Sequence, residues 1–308
     1  MPHGITARDV PEVRQDVADW FASEQARSVF ARMIASKGTV GLKDIAEVAD
    51  HLKRRGSSVR LAELYYVNDD MTDLAMQVAE GLEEWFLTED VPDADHGFVV
   101  WAKPLQLPVP EELWPIAAAW SRDGDSVEVD TYGSAEAMRT GDRGRVLRAK
   151  GYGTYLDPMN AGKLIYQCTE TLRVGEKPEG IPALLLATWL LIRQPSEERN
   201  AVHETSMTQA PRAAQKRIQR AGGDPTREVR YLTLRRSLRH SGDEGVGSEE
   251  RARRAYRHRW FVKPHKARQY YPSKGEHQTI WRGPYLVVPA GCEDAPIIGG
   301  ERVNVLRR

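Results

Sequence analysis

Cysteine is nearly absent: the 308 residues contain two, Cys168 and Cys292. That excludes a disulfide-stapled scaffold and a four-cysteine zinc site, and it makes a reducing cytoplasm the expected compartment. Long apolar runs are missing too. The longest, Ile181 to Ile192, is too short to span a bilayer and contains Pro182, so no membrane partner is expected. Met1 to Glu12 lacks the charged-then-apolar layout of a secretion signal. No phosphate-binding fingerprint is complete. Lys150-Gly151-Tyr152-Gly153 and Asn160-Ala161-Gly162-Lys163 hold only fragments of one, and turn glycines explain both. No His-x-x-x-His or paired-cysteine spacing occurs, so neither a metal nor a cofactor is expected. Glu170, Asp157 and Glu204 could join a metal-dependent nuclease site, but scattered surface acids are the default reading and they stay unassigned.

Charge of one sign is missing from a long stretch. No Lys or Arg occurs from Leu61 through Ala102, which holds 11 acidic residues. The whole chain balances at 44 basic and 44 acidic side chains, yet residues 1–210 carry 22 basic against 34 acidic and residues 211–308 carry 22 against 10. Such asymmetry points to an anionic partner for the basic end, or to mutual neutralisation of the two halves. At 41% apolar and 29% charged residues, the chain can build a packed core.

What is present divides by composition into an acidic helical region (1–92), a mixed α/β core (97–210) and a basic aromatic-rich module (211–308). Val13, Val17, Trp20 and Phe21, then Val29, Phe30, Met33 and Ile34, repeat at the helical period. Leu42, Ile45, Ala49 and Leu52 continue it. Lys53-Arg54-Arg55-Gly56 reads as a helix end, with cations near the C-terminal dipole and a cap glycine. A third helix, capped by Asp70 or Thr72, carries Leu74, Val78, Leu82 and Trp85/Phe86 on one face. Leu42 to Val67 also fits a helix-turn-helix with its turn at Gly56-Ser57-Ser58. The acidic stretch that follows would repel phosphates, so ordinary three-helix packing is favoured. In the middle, Gly97 to Trp101 is a strand. Ile116 to Trp120 and Ser126 to Tyr132 form a hairpin around Asp123-Gly124. Leu164 to Leu172 is a strand and Ala183 to Arg193 a fully buried helix. The expected class is α+β, with a helical N-terminal region, a mixed middle and a small basic β-rich C-terminal module.

Pro211 to Arg220 reads as a short basic helix with Arg212, Lys216, Arg217 and Arg220 on two adjacent faces, followed by a strand in Arg227 to Arg236. The densest basic run is Arg251 to Pro284: ten Lys or Arg and three His against one acid, Glu276. In an extended chain Tyr256, His258, Trp260 and Val262 share one side and Arg257, Arg259, Phe261 and Lys263 the other. Cations capture phosphates and release counterions. Exposed rings stack on unpaired bases, worth about 1–3 kcal/mol each. A solvated charged face does not call for six aromatics between Tyr256 and Trp281. The candidate nucleic-acid-binding residues are Arg253, Arg254, Arg257, Arg259, Trp260, Lys263, Lys266, Arg268, Tyr270, Tyr271, Lys274, Trp281 and Arg282. RNA or single strands are favoured over duplex DNA, because no recognition helix or zinc finger is visible. A second reading is a metal-independent ribonuclease or toxin using His258, His265, Arg268, Tyr271 and His277; no catalytic residue is assigned. A third is an interaction subunit whose basic face docks an acidic partner or another copy of the chain.

Tyr256-Arg-His-Arg-Trp260, Tyr271-Pro-Ser273, His277, Ile280-Trp281, Gly283-Pro284 and Ala295-Pro296 to Gly300-Glu-Arg-Val303 form a pattern across the last 50 or so residues. It resembles the tail of a family of actinobacterial and actinophage proteins without an assigned activity. The resemblance implies a source, the chromosome, phage or plasmid of a GC-rich bacterium, and no chemistry. Family members often have Arg-Gly-His where this chain has Lys263-Pro264-His265.

Overall fold

The computed structural model describes residues 4–35, 42–80, 86–107, 113–192, 203–234, 259–262, 265–271, 276–282, 285–287 and 297–298. Val10, Val13, Val17, Ala18 and Phe21 put one buried stripe on helix α1 (Val10–Phe21). The preceding turn is fixed by Asp9, whose carboxylate accepts from the Thr6 backbone N–H and hydroxyl, both at 2.8 Å. Helix α2 (Glu24–Ala35) buries Val29 and Phe30 beside it.

Helix α3 (Leu42–Leu61) overturns the expected glycine cap and excludes the disfavoured helix-turn-helix. It runs unbroken through Gly56-Ser57-Ser58, so Gly56 is no cap and there is no helix-turn-helix here. Gly56 instead faces α1, where a Cβ would sit 3.4 Å from the Ala18 carbonyl oxygen and 3.4 Å from the Phe21 Cβ, and it keeps a helical backbone with no positive φ of the kind an αL cap glycine adopts. The next run, Leu64-Tyr-Tyr-Val67, is not a helix either but strand β1 (Glu63–Val67). Helix α4 (Asp69–Glu80) follows. Its cap is Asn68, whose Oδ1 accepts from the Met71 N–H at 2.9 Å, rather than Asp70 or Thr72.

Strands β2 (His96–Trp101), β3 (Pro115–Asp123) and β4 (Ser126–Ser134) form a meander. The expected hairpin is present, with Asp123 opposite Ser126 and Gly124 at φ +60° in the turn. A Cβ on Gly97 would fall inside the Trp120 ring, so only glycine lets that indole cross β2. Short helices α5 (Ala135–Thr140), α6 (Asp142–Ala149) and α7 (Gly153–Leu156) lead to β5 (Asn160–Ala161) and β6 (Leu164–Arg173). Helix α8 (Ile181–Ile192) is buried from Pro182 to Leu191, as its uninterrupted apolar composition requires. Strand β7 (His203–Thr208), helix α9 (Arg212–Arg220) and strand β8 (Val229–Leu234) come next.

These strands form one eight-stranded mixed sheet in the order β5-β6-β4-β3-β2-β1-β8-β7. β1 is parallel to both β2 and β8, and the other pairs are antiparallel. Strand alternation supplies two cores. Leu64, Tyr66, Phe98 and Val100 pack against α1, α2 and α3. Tyr65, Val67, Val99 and Trp101 pack against α4 and α8. The fold is α+β, with helices on both faces of the sheet. Strand β1 comes from segment 1–92 and β8 from 211–308, and Tyr65, Val67 and Leu232 share one core.

The C-terminal segment supplies two further small sheets. One holds β10 (His265–Tyr271) and β11 (Glu276–Arg282). The other has the order β12-β9-β13, from Arg259–Val262 (β9), Tyr285–Val287 (β12) and Ile297–Ile298 (β13). No helix among the described residues is long and apolar enough to cross a membrane.

Candidate nucleic-acid interface

Helix α9 is strictly two-faced. Ala214 and Ile218 are buried, with Ala210, on the side that docks near α1. On the outer side Arg212, Lys216 and Arg220 are exposed. They recur every fourth residue, so they form one ridge with cations about 6 Å apart along the axis. No described carboxylate lies within ion-pair reach of any of the three. Arg217 is different. It grips Glu12 through two contacts, one at 2.8 Å between Nη2 and Oε2, and this hydrogen bonding raises its pKa. Arg227 donates to the Leu61 and Ala62 carbonyls at 2.5 and 2.9 Å, satisfying the end of α3. Arg230 reaches Glu63 at 3.2 Å and lies 5.7 Å from the centre of the Tyr65 ring. The cations of residues 211–234 thus divide into anchors and a free ridge. The fourfold spacing was legible in the sequence, but the free members are distinguished only by which acids lie near.

The register of β10 with β11 sorts the sequence-predicted residues by face. Lys266 pairs with Trp281, Arg268 with Thr279 and Tyr270 with His277. Cross-strand partners share a face and alternate residues along a strand do too. Two cations, two aromatics and a histidine are therefore collected on one side of a ribbon. The opposite side takes His265 with Arg282, Gln269 with Gln278 and Tyr271 with Glu276. In the three-stranded sheet Arg259 and Trp260 stand at successive positions of the central strand, opposite Ile297 and Ile298, and Trp260 also pairs with Val287. Arg253, Arg254, Arg257, His258, Lys263 and Lys274 lie outside the described residues.

The ribbon separates the residues of the nuclease reading. His277 shares a face with Arg268 and Tyr270, while His265 and Tyr271 are on the other. His265 and Tyr271 are also six positions apart on β10, about 20 Å. That distance is too long for both to meet one phosphate. The middle-region acids do not converge either. Asp157 pairs with Arg148 at 3.1 Å, Glu170 accepts from the Cys168 thiol at 3.8 Å, and Glu204 stands in β7 opposite Thr233. Among the described residues no group of three His, Cys, Asp or Glu could hold a metal. Burial pushes the Cys168 thiol up, away from thiolate reactivity.

Sequence reasoning gave no sign of a buried polar network between α3 and β4. Arg55, 3% exposed, donates to Asp130, 1% exposed, through Nε at 2.9 Å, and to Glu128 through Nη1 at 2.7 Å. Thr169 completes the Asp130 shell at 2.6 Å, and its hydroxyl also meets the Tyr166 phenol at 2.8 Å. Burial opposes the Arg55 charge, but Asp130 and Glu128 outweigh it and raise its pKa. This network clamps a helix to the sheet.

No protein-family model matches the chain, and no curated protein or solved structure is significantly similar to it.

Proposed function

We propose that the protein binds nucleic acid, RNA or single strands in preference to duplex, through its basic C-terminal segment. The observation that carries this reading is the β10–β11 register, which gathers Lys266, Arg268, Tyr270, His277 and Trp281 on one face. Cations at alternate positions of a strand track a phosphate backbone, and rings on the same face offer stacking platforms for bases of any sequence. The exposed ridge of α9 supports the same reading from outside the small sheets, with three further cations on the α/β body.

The test is fluorescence anisotropy with a labelled 20-nucleotide RNA, the matching DNA single strand and its duplex, at low and moderate salt. Single strands should bind more tightly than duplex, and affinity should fall steeply as salt rises. A Lys266→Ala, Arg268→Ala, Trp281→Ala variant should lose most of the affinity. Absence of binding at low salt would refute the proposal, and a salt-sensitive oligomer in the same sample would favour an acidic protein partner instead. RNA shortened in the presence of chelator would move the reading to a metal-independent nuclease centred on His277.

A further inference from the structure

One cleft on the α/β body belongs to neither the ribbon nor the α9 ridge. It has a volume of about 710 Å³ and opens where β1 and β2 end and α4 begins. In open α/β sheets that position, outside the carboxyl ends of parallel strands, is where ligands bind. The volume is in the range of small-molecule sites.

Its walls are aromatic. Tyr66 and Tyr231 have ring centroids 5.4 Å apart, and Tyr66 is pinned by its phenol donating to the Ile5 carbonyl at 3.2 Å. Trp114 closes another side, its ring held by an indole N–H bond to the Leu107 carbonyl at 3.0 Å. The charge of the lining is negative. Asp69 and Asp70 line the cleft at the first two positions of α4, and the lining cation, Lys103, is bound to Asp73. A helix N-terminus is ordinarily an anion site. Here Asn68 caps it and Asp69 and Asp70 put two carboxylates beside it, so a phosphate brought to the cleft would meet repulsion.

We infer that this cleft binds a small organic cation, a guanidinium or primary ammonium on a short carbon chain. Ring faces attract such a group, and carboxylates at the rim complete its pairing. The inference stands independently of nucleic-acid binding.

Isothermal titration calorimetry of the full chain with agmatine, spermidine, a capped Ala-Arg-Ala peptide, and adenosine and its 5′-monophosphate as non-cationic probes tests it. Agmatine or spermidine should bind, and neither adenosine probe should. Tighter binding of the peptide than of agmatine would mean that the guanidinium arrives on a polypeptide. An Asp69→Asn, Asp70→Asn variant should weaken binding about tenfold. Lys103→Met removes the lining cation and should tighten binding severalfold, a sign that an anionic ligand would reverse. Each variant's thermal melt confirms folding. Weaker binding of the cations by Lys103→Met, preference for adenosine or its monophosphate, or no cation binding at all would overturn the inference.

Discussion

If the ridge of α9 lies along a nucleic-acid backbone, removing its charge has a calculable effect. Each phosphate neutralised on a single strand contributes about 0.7 to the slope of log affinity against log salt concentration. Arg212, Lys216 and Arg220 are exposed and clear of described acids, so all three are available. Replacing them together by glutamine should lower the slope by about 2 and cost about a hundredfold in affinity near 0.1 M salt, with the difference closing towards 1 M. Glutamine is a good helix former, and exposed substitutions of this kind change stability by no more than about 0.5 kcal/mol. The control is one residue away. Arg217 is already neutralised by Glu12, so Arg217→Gln should leave the slope nearly unchanged. Anisotropy titrations at four or five salt concentrations give both slopes. A triple variant with the wild-type slope, where wild type binds, would remove α9 from the interface. A single Arg217 variant as damaging as the triple would show that the ion pair, rather than the ridge, governs binding.

Two further predictions concern the body of the protein. Arg55→Met strands the Asp130 carboxylate in the core and should cost about 3–5 kcal/mol in guanidinium chloride unfolding. The double variant with Asp130→Leu should recover most of that loss; a single variant within 1 kcal/mol of wild type would show that the pair is not the clamp described. Burial, reinforced by Glu12 and Asp19, lifts the Asp16 carboxyl from 3.8 to about 6. A raised carboxyl pKa costs stability fully above the folded value and not at all below the unfolded one. Asp16→Asn should therefore exceed wild type by on the order of 1 kcal/mol at pH 7.5, after allowance for solvent screening, and lose that advantage by pH 4. Urea unfolding across that range decides it, and a difference independent of pH would refute the assignment.

The parts of the fold legible in the sequence were those set by local pattern. The α1 stripe, the hairpin at Asp123-Gly124 and the uniformly apolar α8 each encode their structure in neighbouring residues. Gly56 failed because a cap glycine and an interior glycine that faces a second helix look identical without knowing what stands opposite. The cap of α4 was missed by two residues, because Asn68, Asp70 and Thr72 are all capable and only the end of β1 decides between them. Strand β1 was not read in the sequence, where that run entered only as the end of the disfavoured helix-turn-helix, although Leu64-Tyr-Tyr-Val67 is β-rich. The site divides in the same way. Cations and rings could be counted along the chain, but their sorting onto faces needed the β10–β11 register. The cleft combines residues near positions 5, 66–70, 103, 114 and 231, and no linear pattern joins them.

Opposite charge on the two ends of a chain invites the view that they merely neutralise each other, and for part of this molecule that view is right. Arg217 meets Glu12 on α1, Arg227 caps α3, and Arg230 meets Glu63 on the neighbouring strand β1. Were neutralisation general, the remaining cations of α9 would turn the same way, towards Asp16, since Glu12 and Asp19 are already paired with Arg217 and Arg60. Arg217 and Lys163 both favour the Asp16 charge, yet burial and the neighbouring acids prevail and keep its pKa high. Arg212, Lys216 and Arg220 instead stand on the solvent side of the helix, opposite Ala214 and Ile218. Leaving them there forgoes a pairing with Asp16, and under the function we propose the partner of these cations is instead a polyanion from outside the chain.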